Sequence, residues 1–213
     1  MKGETEMDFE TGKTLGGIGA ILMIVGVLGG IGIPYAGLAS LIGMILVLVA
    51  LKGMADYYQE SGIFNNALYG LITTIVGVVI FAGVMVTVVL SMLSSAGIDL
   101  TNPLSIQEYF MNLTLENLMT LLVGSLAAIV VLFIFLVISA VFFRKSLNSL
   151  SAKSGEKMFG WAGLLWLIGA VLSIVAIGFI LIFISWILIA VGFFSIKKAA
   201  APATPTSSNL TST

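Results

Sequence analysis

An uncharged run near the carboxyl terminus constrains this chain most. Residues 158–196 carry no charged side chain, and apart from three serines every residue there is apolar or Gly. As one straight helix the run would be roughly 58 Å long, about twice the thickness of the hydrocarbon core of a bilayer. The run therefore predicts two membrane helices, 158–176 and 178–196, with a turn near 176–178.

Four further apolar runs have the length of membrane helices, at residues 15–33, 35–51, 67–93 and 118–143. The whole chain is 59% apolar and 9% charged, whereas about a quarter of a soluble domain is charged. Because lipid cannot pair with backbone groups, such runs form helices, and a barrel would instead show short alternating segments. We predict an all-α polytopic membrane bundle of six transmembrane helices, arranged as three antiparallel hairpins.

The two central helices, 67–93 and 118–143, are longer than one crossing needs, so we expect them to tilt or to project beyond the bilayer. Between them, Thr101-Asn102-Pro103 resembles a helix start with Pro in the first turn. This segment predicts a short helix on the outer membrane surface.

The basic residues predict the orientation. With six crossings, all nine Lys and Arg residues fall on one side of the membrane, and Asp99, Glu108 and Glu116 fall on the other. Because cytoplasmic loops carry the Lys and Arg excess, we place the basic side and both termini in the cytoplasm, at the cell membrane. Charge counting does not separate a fully crossing hairpin from a shallow re-entrant one, because both return the chain to the same side.

Both ends of the chain are expected to lie outside a single transmembrane domain of residues 14–198. Residues 1–13 form a cytoplasmic tail that lacks the basic start of a secretory signal, so the first apolar run is expected to stay attached. Residues 199–213 are rich in Ala, Pro, Ser and Thr, which predicts a disordered cytoplasmic tail.

Several kinds of chemistry lack the residues that they need. The chain has no Cys and no His, which excludes disulfides, thiolate nucleophiles and the commonest general base. No ionisable residue falls in the middle of a predicted helix, which argues against a proton-coupled pump. Asp56 with Glu60 is the only close carboxylate pair on the predicted inner side, so an enzyme ranks last. We expect no catalytic residue, cofactor, metal or nucleic-acid partner.

Glycines in the first and fifth helices are candidates for close helix packing. They are Gly16, Gly19, Gly26, Gly30, Gly160 and Gly163. Gly26 and Gly30 have the GxxxG spacing that lets two backbones approach each other in lipid. The alternative is a broken helix at Pro34 whose freed backbone groups bind a substrate, although Pro34 lies in the expected turn.

Two segments of the chain align with each other. Residues 13–19 match 157–163, and residues 44–47 match 186–189, with nearly the same offset. The alignment suggests a parallel repeat of helices 1–2 and 5–6, of the kind that some transporters contain. Chance similarity between Gly- and Ile-rich helices is the alternative.

Charges, amides and aromatic rings concentrate in residues 52–70, at the expected inner interface. The candidates for an interaction surface or a gate are Lys52, Asp56, Tyr57, Tyr58, Asn65, Asn66 and Tyr69. The simpler interpretation is an interfacial belt of aromatic residues, in which Asn65 or Asn66 caps the third helix.

Two loops carry further candidates. The inner loop expected at 144–157 is basic, which positive-inside orientation suffices to explain. The more specific alternative is contact with anionic lipid headgroups through Arg144, Lys145, Lys153 and Lys157. On the outer side, Asn112-Leu113-Thr114 matches a glycosylation sequon, which makes Asn112 a candidate site although so short a motif matches often.

Several sequence patterns resemble a known family. They are ALKGMADYY at 50–58, GIFNNALYG at 62–70, and GLLWLIGAVLSI with GFILIFISWILIAVGFFSI between 163 and 196. These patterns resemble the archaeal membrane proteins of domain-of-unknown-function family 996, over most of residues 13–196. The resemblance implies an archaeal cell membrane and supplies no activity.

Two functions fit these features. The uncharged membrane interior favours a structural or accessory membrane module, which would act through cytoplasmic loops on a membrane-protein partner or a second copy. A passive facilitator or channel for a small solute or ion is the alternative, and it would need a water-accessible path lined by Thr73, Thr74 and Ser125.

Overall fold

All regular structure in the described part of the chain is helical. The computed structural model describes residues 7–29 and 36–198. In order, the helices are α1 Phe9–Gly29, α2 Ala36–Tyr57, α3 Ser61–Ser95, α4 Pro103–Met111, α5 Leu115–Ser154, α6 Lys157–Leu172 and α7 Gly178–Ser195. Six of these helices, all except α4, are long and apolar enough to cross a membrane. The prediction of an all-helical chain with six long apolar helices is confirmed, and these helices are consistent with a multi-pass membrane protein.

The carboxyl-terminal apolar run is divided into two helices where the sequence predicts. A 3₁₀ turn, Ser173–Val175, follows α6, and Ala176 has a left-handed backbone with φ 64°. At Gly178, a Cβ would overlap the carbonyl oxygen of Gly169 and the amide nitrogen of Ser173. Only Gly therefore fits where the turn brings α6 and α7 together.

The helices extend beyond the apolar runs at the basic end of the molecule. α1 begins at Phe9, α2 continues to Tyr57, α3 begins at Ser61 and α5 continues to Ser154. Hydropathy marks the part of a helix that suits lipid, whereas the polar residues beyond it can continue the same helix. The prediction of a loop over 144–157 is therefore wrong for most of that segment, which forms the last turns of α5 before a left-handed Gly155.

Helix starts show one correct and one wrong prediction. The side chain of Asn102 accepts a hydrogen bond from the Leu104 amide at the start of α4, as its Asn-Pro sequence predicts. At α3 the N-cap position belongs to Glu60, so neither Asn65 nor Asn66 is a cap. Asn66 lies one turn inside α3, where its Nδ2 donates to the Gly62 carbonyl oxygen at 2.7 Å.

The long helices pack in pairs, α1 with α2, α3 with α5, and α6 with α7. α5 also packs against α6, and α1 against α7, whereas α2 and α3 touch over a shorter length. A Cβ at Gly43 of α2 would lie 2.6 Å from the Gly19 carbonyl oxygen of α1. Such small residues let the paired backbones approach closely.

The buried core lies near the basic end. Its largest fully buried apolar side chains are Phe159, Phe193, Leu51, Met54, Ile63, Leu150 and Ile196. Farther along the bundle, apolar side chains such as Val79, Val123 and Leu126 are more than half exposed. An apolar exposed surface of this kind suits lipid as the solvent.

Some predictions concern residues outside the described part of the chain. They are the turn around Gly30 and Pro34, most of the amino-terminal tail, and the disordered tail of residues 199–213.

Candidate functional site

The turn from α2 to α3 brings the candidate residues of 52–69 to the basic end; we call these residues the α2–α3 corner. Gln59 adopts a left-handed backbone with φ 51°, and the Glu60 amide donates to the Ala55 carbonyl oxygen at 2.9 Å. This tight turn places the last turn of α2 beside the first turn of α3.

The charged pair of the corner lies beside a shallow groove. Lys52 Nζ is 2.7 Å from Asp56 Oδ1, and it lies 5.7 Å above the ring centre of Phe64. The groove has a volume of about 300 Å³ and is lined by Met7, Leu48, Val49, Lys52, Gly53, Asp56 and Phe64. Both charged side chains are about half exposed, so they are accessible to a partner.

A second ion pair joins the corner to the end of α5. Lys153 Nζ lies 3.3 Å from Glu60 Oε2. The sequence offered lipid contact at Lys153 only as an alternative to positive-inside orientation, and it did not predict this pair, since no local signal links residues so distant in the chain. Glu60 therefore lies in the turn of the corner and also pairs with a residue of α5.

Aromatic rings fill the inner side of the corner. The Tyr57 ring lies 4.7 Å from Phe9 and 4.9 Å from Tyr58, centre to centre. The Tyr58 hydroxyl is buried and has no hydrogen-bond partner among the described residues. Burial, and secondarily the neighbouring Tyr57, raises the pKa of Tyr58 to about 12.

The predicted candidates therefore divide into two groups. The side chains of Lys52, Asp56, Asn65 and Tyr69 are exposed, whereas those of Tyr57, Tyr58 and Asn66 are partly buried. Tyr69 also packs edge-on against Phe142 of α5 at 5.8 Å. A partner at this end would meet the first group of side chains, and the second group holds the first group in position.

Hydroxyls within the helices bond to backbone carbonyls. Thr74 Oγ1 is 3.0 Å from the Gly70 carbonyl oxygen and 2.7 Å from Ser139 Oγ. Ser125 donates to the Leu122 carbonyl oxygen of its own helix. The contacts between helices include Ser146 donating to the Ile63 carbonyl oxygen and Ser185 donating to that of Ala162.

Three grooves in the described part of the structure lie near helix ends. One is the groove beside Lys52. The second has a volume of about 270 Å³ and is lined by Ser91, Met92, Ser95, Ala96, Tyr109, Asn117 and Thr120. The third has a volume of about 400 Å³ and is lined by Leu104, Gln107, Glu108, Met111 and Asn112. None of these three grooves includes Thr73, Thr74 or Ser125. Within residues 7–29 and 36–198, no three acidic side chains converge to hold a metal.

Four of the predicted packing glycines lie at helix contacts, Gly26 is buried, and Gly30 lies outside the described residues. A Cβ at Gly16 would overlap the Phe193 ring of α7, and a Cβ at Gly163 would lie 3.2 Å from the Arg144 Cα of α5. Gly19 faces Gly43, and Gly26 is buried in α1. A Cβ at Gly160 would lie 3.3 Å from Ser151 Oγ.

The remaining candidates lie at the two ends of the bundle. Lys145 Nζ is 5.9 Å from the centre of the Phe142 ring, and Lys157 is the exposed first residue of α6. Asn112 is exposed at the end of α4, and its Nδ2 donates to the Glu108 carbonyl oxygen at 3.0 Å.

Comparison with known proteins identifies the family. The model of a family described as "Protein of unknown function (DUF996)" matches residues 39–187. The chain belongs to DUF996. An uncharacterized protein of Methanocaldococcus jannaschii is 31% identical to this DUF996 chain over 193 residues, which cover 90% of the chain and 94% of that protein. No solved structure matches this DUF996 chain.

Family membership confirms the resemblance seen in the sequence. The DUF996 match begins in α2 and ends in α7, so it contains the whole α2–α3 corner. Neither the family description nor the printed name of the archaeal relative supplies an activity.

Proposed function

We propose that this DUF996 protein is an accessory module of the archaeal cell membrane that acts through its cytoplasmic end. The orientation is supported by the described basic residues, which all lie at the end that carries the α2–α3 corner: Lys13, Lys52, Arg144, Lys145, Lys153, Lys157, Lys197 and Lys198. Asp99, Glu108 and Glu116 lie at the other end. Because cytoplasmic loops carry the Lys and Arg excess, this distribution supports a cytoplasmic position for the basic end.

We propose that the long helices enter the membrane as three antiparallel hairpins, all from the cytoplasmic side. Along α3 and α5, Ile63 bonds to Ser146, whereas Val88 touches Gly124, so the numbers rise on one helix as they fall on the other. This order supports the antiparallel arrangement, and each hairpin then begins and ends at the basic end.

The proposed repeat receives support from the same kind of contact. α1 and α2 approach each other closely at Gly19 and Gly43, and α6 and α7 are joined by the bond from Ser185 to Ala162. The alignment of 13–19 with 157–163 and of 44–47 with 186–189 brings these two contacts to within one residue of each other. The surroundings differ, since α1 packs on α7 and α6 packs on α5.

One observation favours the accessory function over the facilitator. The hydroxyl of Thr74, which a solute path would need, is bonded to Gly70 and Ser139 where α3 and α5 meet. Hydroxyls used in this way hold helices together instead of lining a path. The exposed polar groups lie instead at the α2–α3 corner, where Lys52, Asp56 and Asn65 can meet a partner.

An enzymatic function has less support. The two carboxylates that could act as an acid–base pair, Asp56 and Glu60, are bonded to Lys52 and Lys153 respectively. We propose instead that these charges define a docking surface, and that Arg144, Lys145 and Lys157 contact anionic headgroups at its edge. Glycosylation at Asn112 stays a prediction.

Affinity purification under native conditions, with matched variants, tests the accessory function. We expect a stoichiometric membrane-protein partner, or a second copy, that is lost from Asp56→Asn and Asn65→Ala but retained by Glu108→Gln at the opposite end. Proteoliposomes supply the competing measurement, with water, glycerol and K⁺ as probes. Flux that Thr74→Val alters and Asp56→Asn does not would contradict the proposal and favour a facilitator.

A further inference from the structure

Contacts between side chains define a common level in the bundle. The rings of Phe143 on α5 and Trp166 on α6 lie 5.2 Å apart, centre to centre. A Cβ at Gly70 on α3 would lie 2.9 Å from Phe143 Cδ2. Heights along α3, α5 and α6 can therefore be compared from these three residues.

The helices rise to very different heights above that level. At about 1.5 Å per α-helical residue and about 2 Å per 3₁₀ residue, the turn after α6 lies only about 15 Å above Trp166. By the same measure α5 rises about 42 Å from Phe143 to Leu115, and α3 about 38 Å from Gly70 to Ser95. The α6–α7 pair thus ends more than 20 Å below the tips of α3 and α5, on the order of two-thirds of a ~30 Å core.

The described part of α1 reaches the same limited height. Gly16 packs against Phe193, whose ring lies 5.1 Å from that of Phe159. Phe159 lies about 10 Å below Trp166 along α6, and α1 rises about 20 Å from Gly16 to Gly29. The described part of α1 therefore reaches about 10 Å above the common level.

The charges of α5 locate the bilayer. Arg144 and Glu116 are the charged residues that bound its apolar part, and about 30 Å of hydrocarbon fits between them. Asn66 on α3 lies close to the height of Arg144, because neighbouring Ile63 bonds to Ser146. The hydrocarbon thus begins no lower than about the common level, and its midplane lies at least about 15 Å above that level.

The turn between α6 and α7 has the composition of a lipid-facing segment. Ile174, Val175, Ile177 and Phe179 are each more than half exposed. Turns in water are rich in polar residues and Gly, as in the Gln59-Glu60 turn of the corner. Four exposed apolar side chains at one turn point to hydrocarbon.

Several polar groups of this turn are paired within the protein. The Ala176 amide donates to the Ser173 carbonyl oxygen at 3.0 Å, and the Phe179 amide donates to that of Ala176 at 3.2 Å. The Ser173 hydroxyl donates to the Ala170 carbonyl oxygen at 2.8 Å. Hydrocarbon tolerates a chain reversal only when its polar groups find partners within the protein.

We propose that α6–α7 is an inner-leaflet hairpin that turns near the midplane, and that α1 and α2, over their described residues, stay in the same leaflet, so that among the described helices only α3 and α5 span the bilayer. This departs from the prediction of six full crossings. The inner leaflet then holds six helices and the outer leaflet two, which makes the protein a wedge. A wedge of this shape fits a bilayer that is curved so that the leaflet at the basic end is convex. The identification of this leaflet as the inner one rests on the proposed orientation. The depth of the hairpins in the bilayer does not depend on that orientation.

A different placement of the bilayer would give the opposite conclusion. If the hydrocarbon were centred on the four shorter helices, Arg144 and Lys145 would be submerged. The tips of α3 and α5, with exposed Val123 and Leu126, would then project into water. Both changes are unfavourable, because lipid excludes charge and water excludes large apolar surfaces.

A matched pair of nitroxide labels tests the depth, and the absence of native Cys allows single labelling. Ile177→Cys on the turn and Val79→Cys on α3 are both exposed and are calculated to lie at nearly equal height. In proteoliposomes, the ratio of accessibility to oxygen over accessibility to a nickel chelate should be the same at the two labels. Neither thiol should react with an impermeant maleimide. Reaction of Ile177→Cys from the side that labels Gln107→Cys would overturn the proposal, as would reaction of Leu126→Cys from that side.

Vesicle size tests the wedge. With Ser61→Cys marking the basic end, the fraction labelled from outside should be larger in small sonicated vesicles than in large extruded ones, because the outer leaflet of a small vesicle is strongly convex. An equal fraction in both would contradict the wedge. If intact cells instead label Ser61→Cys, the proposed orientation fails while equal depth of residues 79 and 177 still stands.

Discussion

Ser139 of α5 donates a hydrogen bond to the Gly70 carbonyl oxygen of α3 at 2.8 Å, and its hydroxyl lies 2.7 Å from that of Thr74. The absence of a side chain at Gly70 lets Phe143 pack against the α3 backbone beside this bond. A buried hydroxyl, a bare backbone and an aromatic ring thus join the two longest helices at one point. Lipid provides no competing hydrogen bond there.

Ser139→Ala should weaken the α3–α5 contact by about 1 kcal/mol, the usual size of a hydrogen bond between membrane helices. Unfolding in mixed micelles with increasing SDS measures this change in the free energy of unfolding. Thr87→Val is the matched control, because the Thr87 hydroxyl is exposed and bonds within α3 to the Gly83 carbonyl oxygen. An equal loss in both variants would show that the interhelical bond contributes nothing of its own.

Gly16→Ala should destabilise the packing of α1 on α7 by about 1–3 kcal/mol, because the new methyl group overlaps the ring of Phe193. The same SDS titration measures it. Gly37→Ala serves as the comparison, since a Cβ at Gly37 meets no atom within 4 Å. That change should be neutral or slightly stabilising, because Ala favours helix more than Gly does. Similar destabilisation of both proteins would contradict the α1–α7 contact.

Tyr58 should make stability fall at alkaline pH. Its pKa is raised from 10.0 to about 12, so the unfolded chain loses this proton first as the pH rises. The stabilisation is complete below pH 10 and decreases from about pH 10 to about 12. Tyr58→Phe should remove this part of the decrease and, below pH 10, should leave stability unchanged or raised, because a buried hydroxyl is removed. Identical alkaline slopes in both proteins would contradict the burial of Tyr58.

The ion pairs of the α2–α3 corner should contribute little to stability. Asp56→Asn and Glu60→Gln should each cost less than about 1 kcal/mol, because both pairs are solvent-accessible. A loss of partner capture in Asp56→Asn without a change in the unfolding midpoint would separate docking from folding. A loss of several kcal/mol would instead show that the pair is structural.

Local signals predicted some features of the fold well. The start of α4 is predictable because Asn102 and Pro103 act within one turn, and the division of the last apolar run follows from its length alone. The extension of α5 to Ser154 is less predictable, because its charged last turns are stabilised by packing that hydropathy does not record.

Features that depend on the fold were not accessible from sequence. The Glu60–Lys153 pair joins the corner to the end of α5, and only the packing of α3 on α5 brings its partners together. The heights of the helices are of the same kind, because they follow from the contact of Phe143 with Trp166. Charge counting left full crossing and shallow insertion open for that reason.

The basic end of the bundle is placed in the cytoplasm, and one labelling measurement tests this placement directly. Ser61→Cys in the α2–α3 corner and Gln107→Cys on α4 are both exposed and lie at opposite ends of the bundle. An impermeant maleimide applied to intact cells should label Gln107→Cys, and should label Ser61→Cys only after the cells are permeabilised. Labelling of Ser61→Cys in intact cells, with Gln107→Cys protected, would contradict the cytoplasmic placement of the basic end.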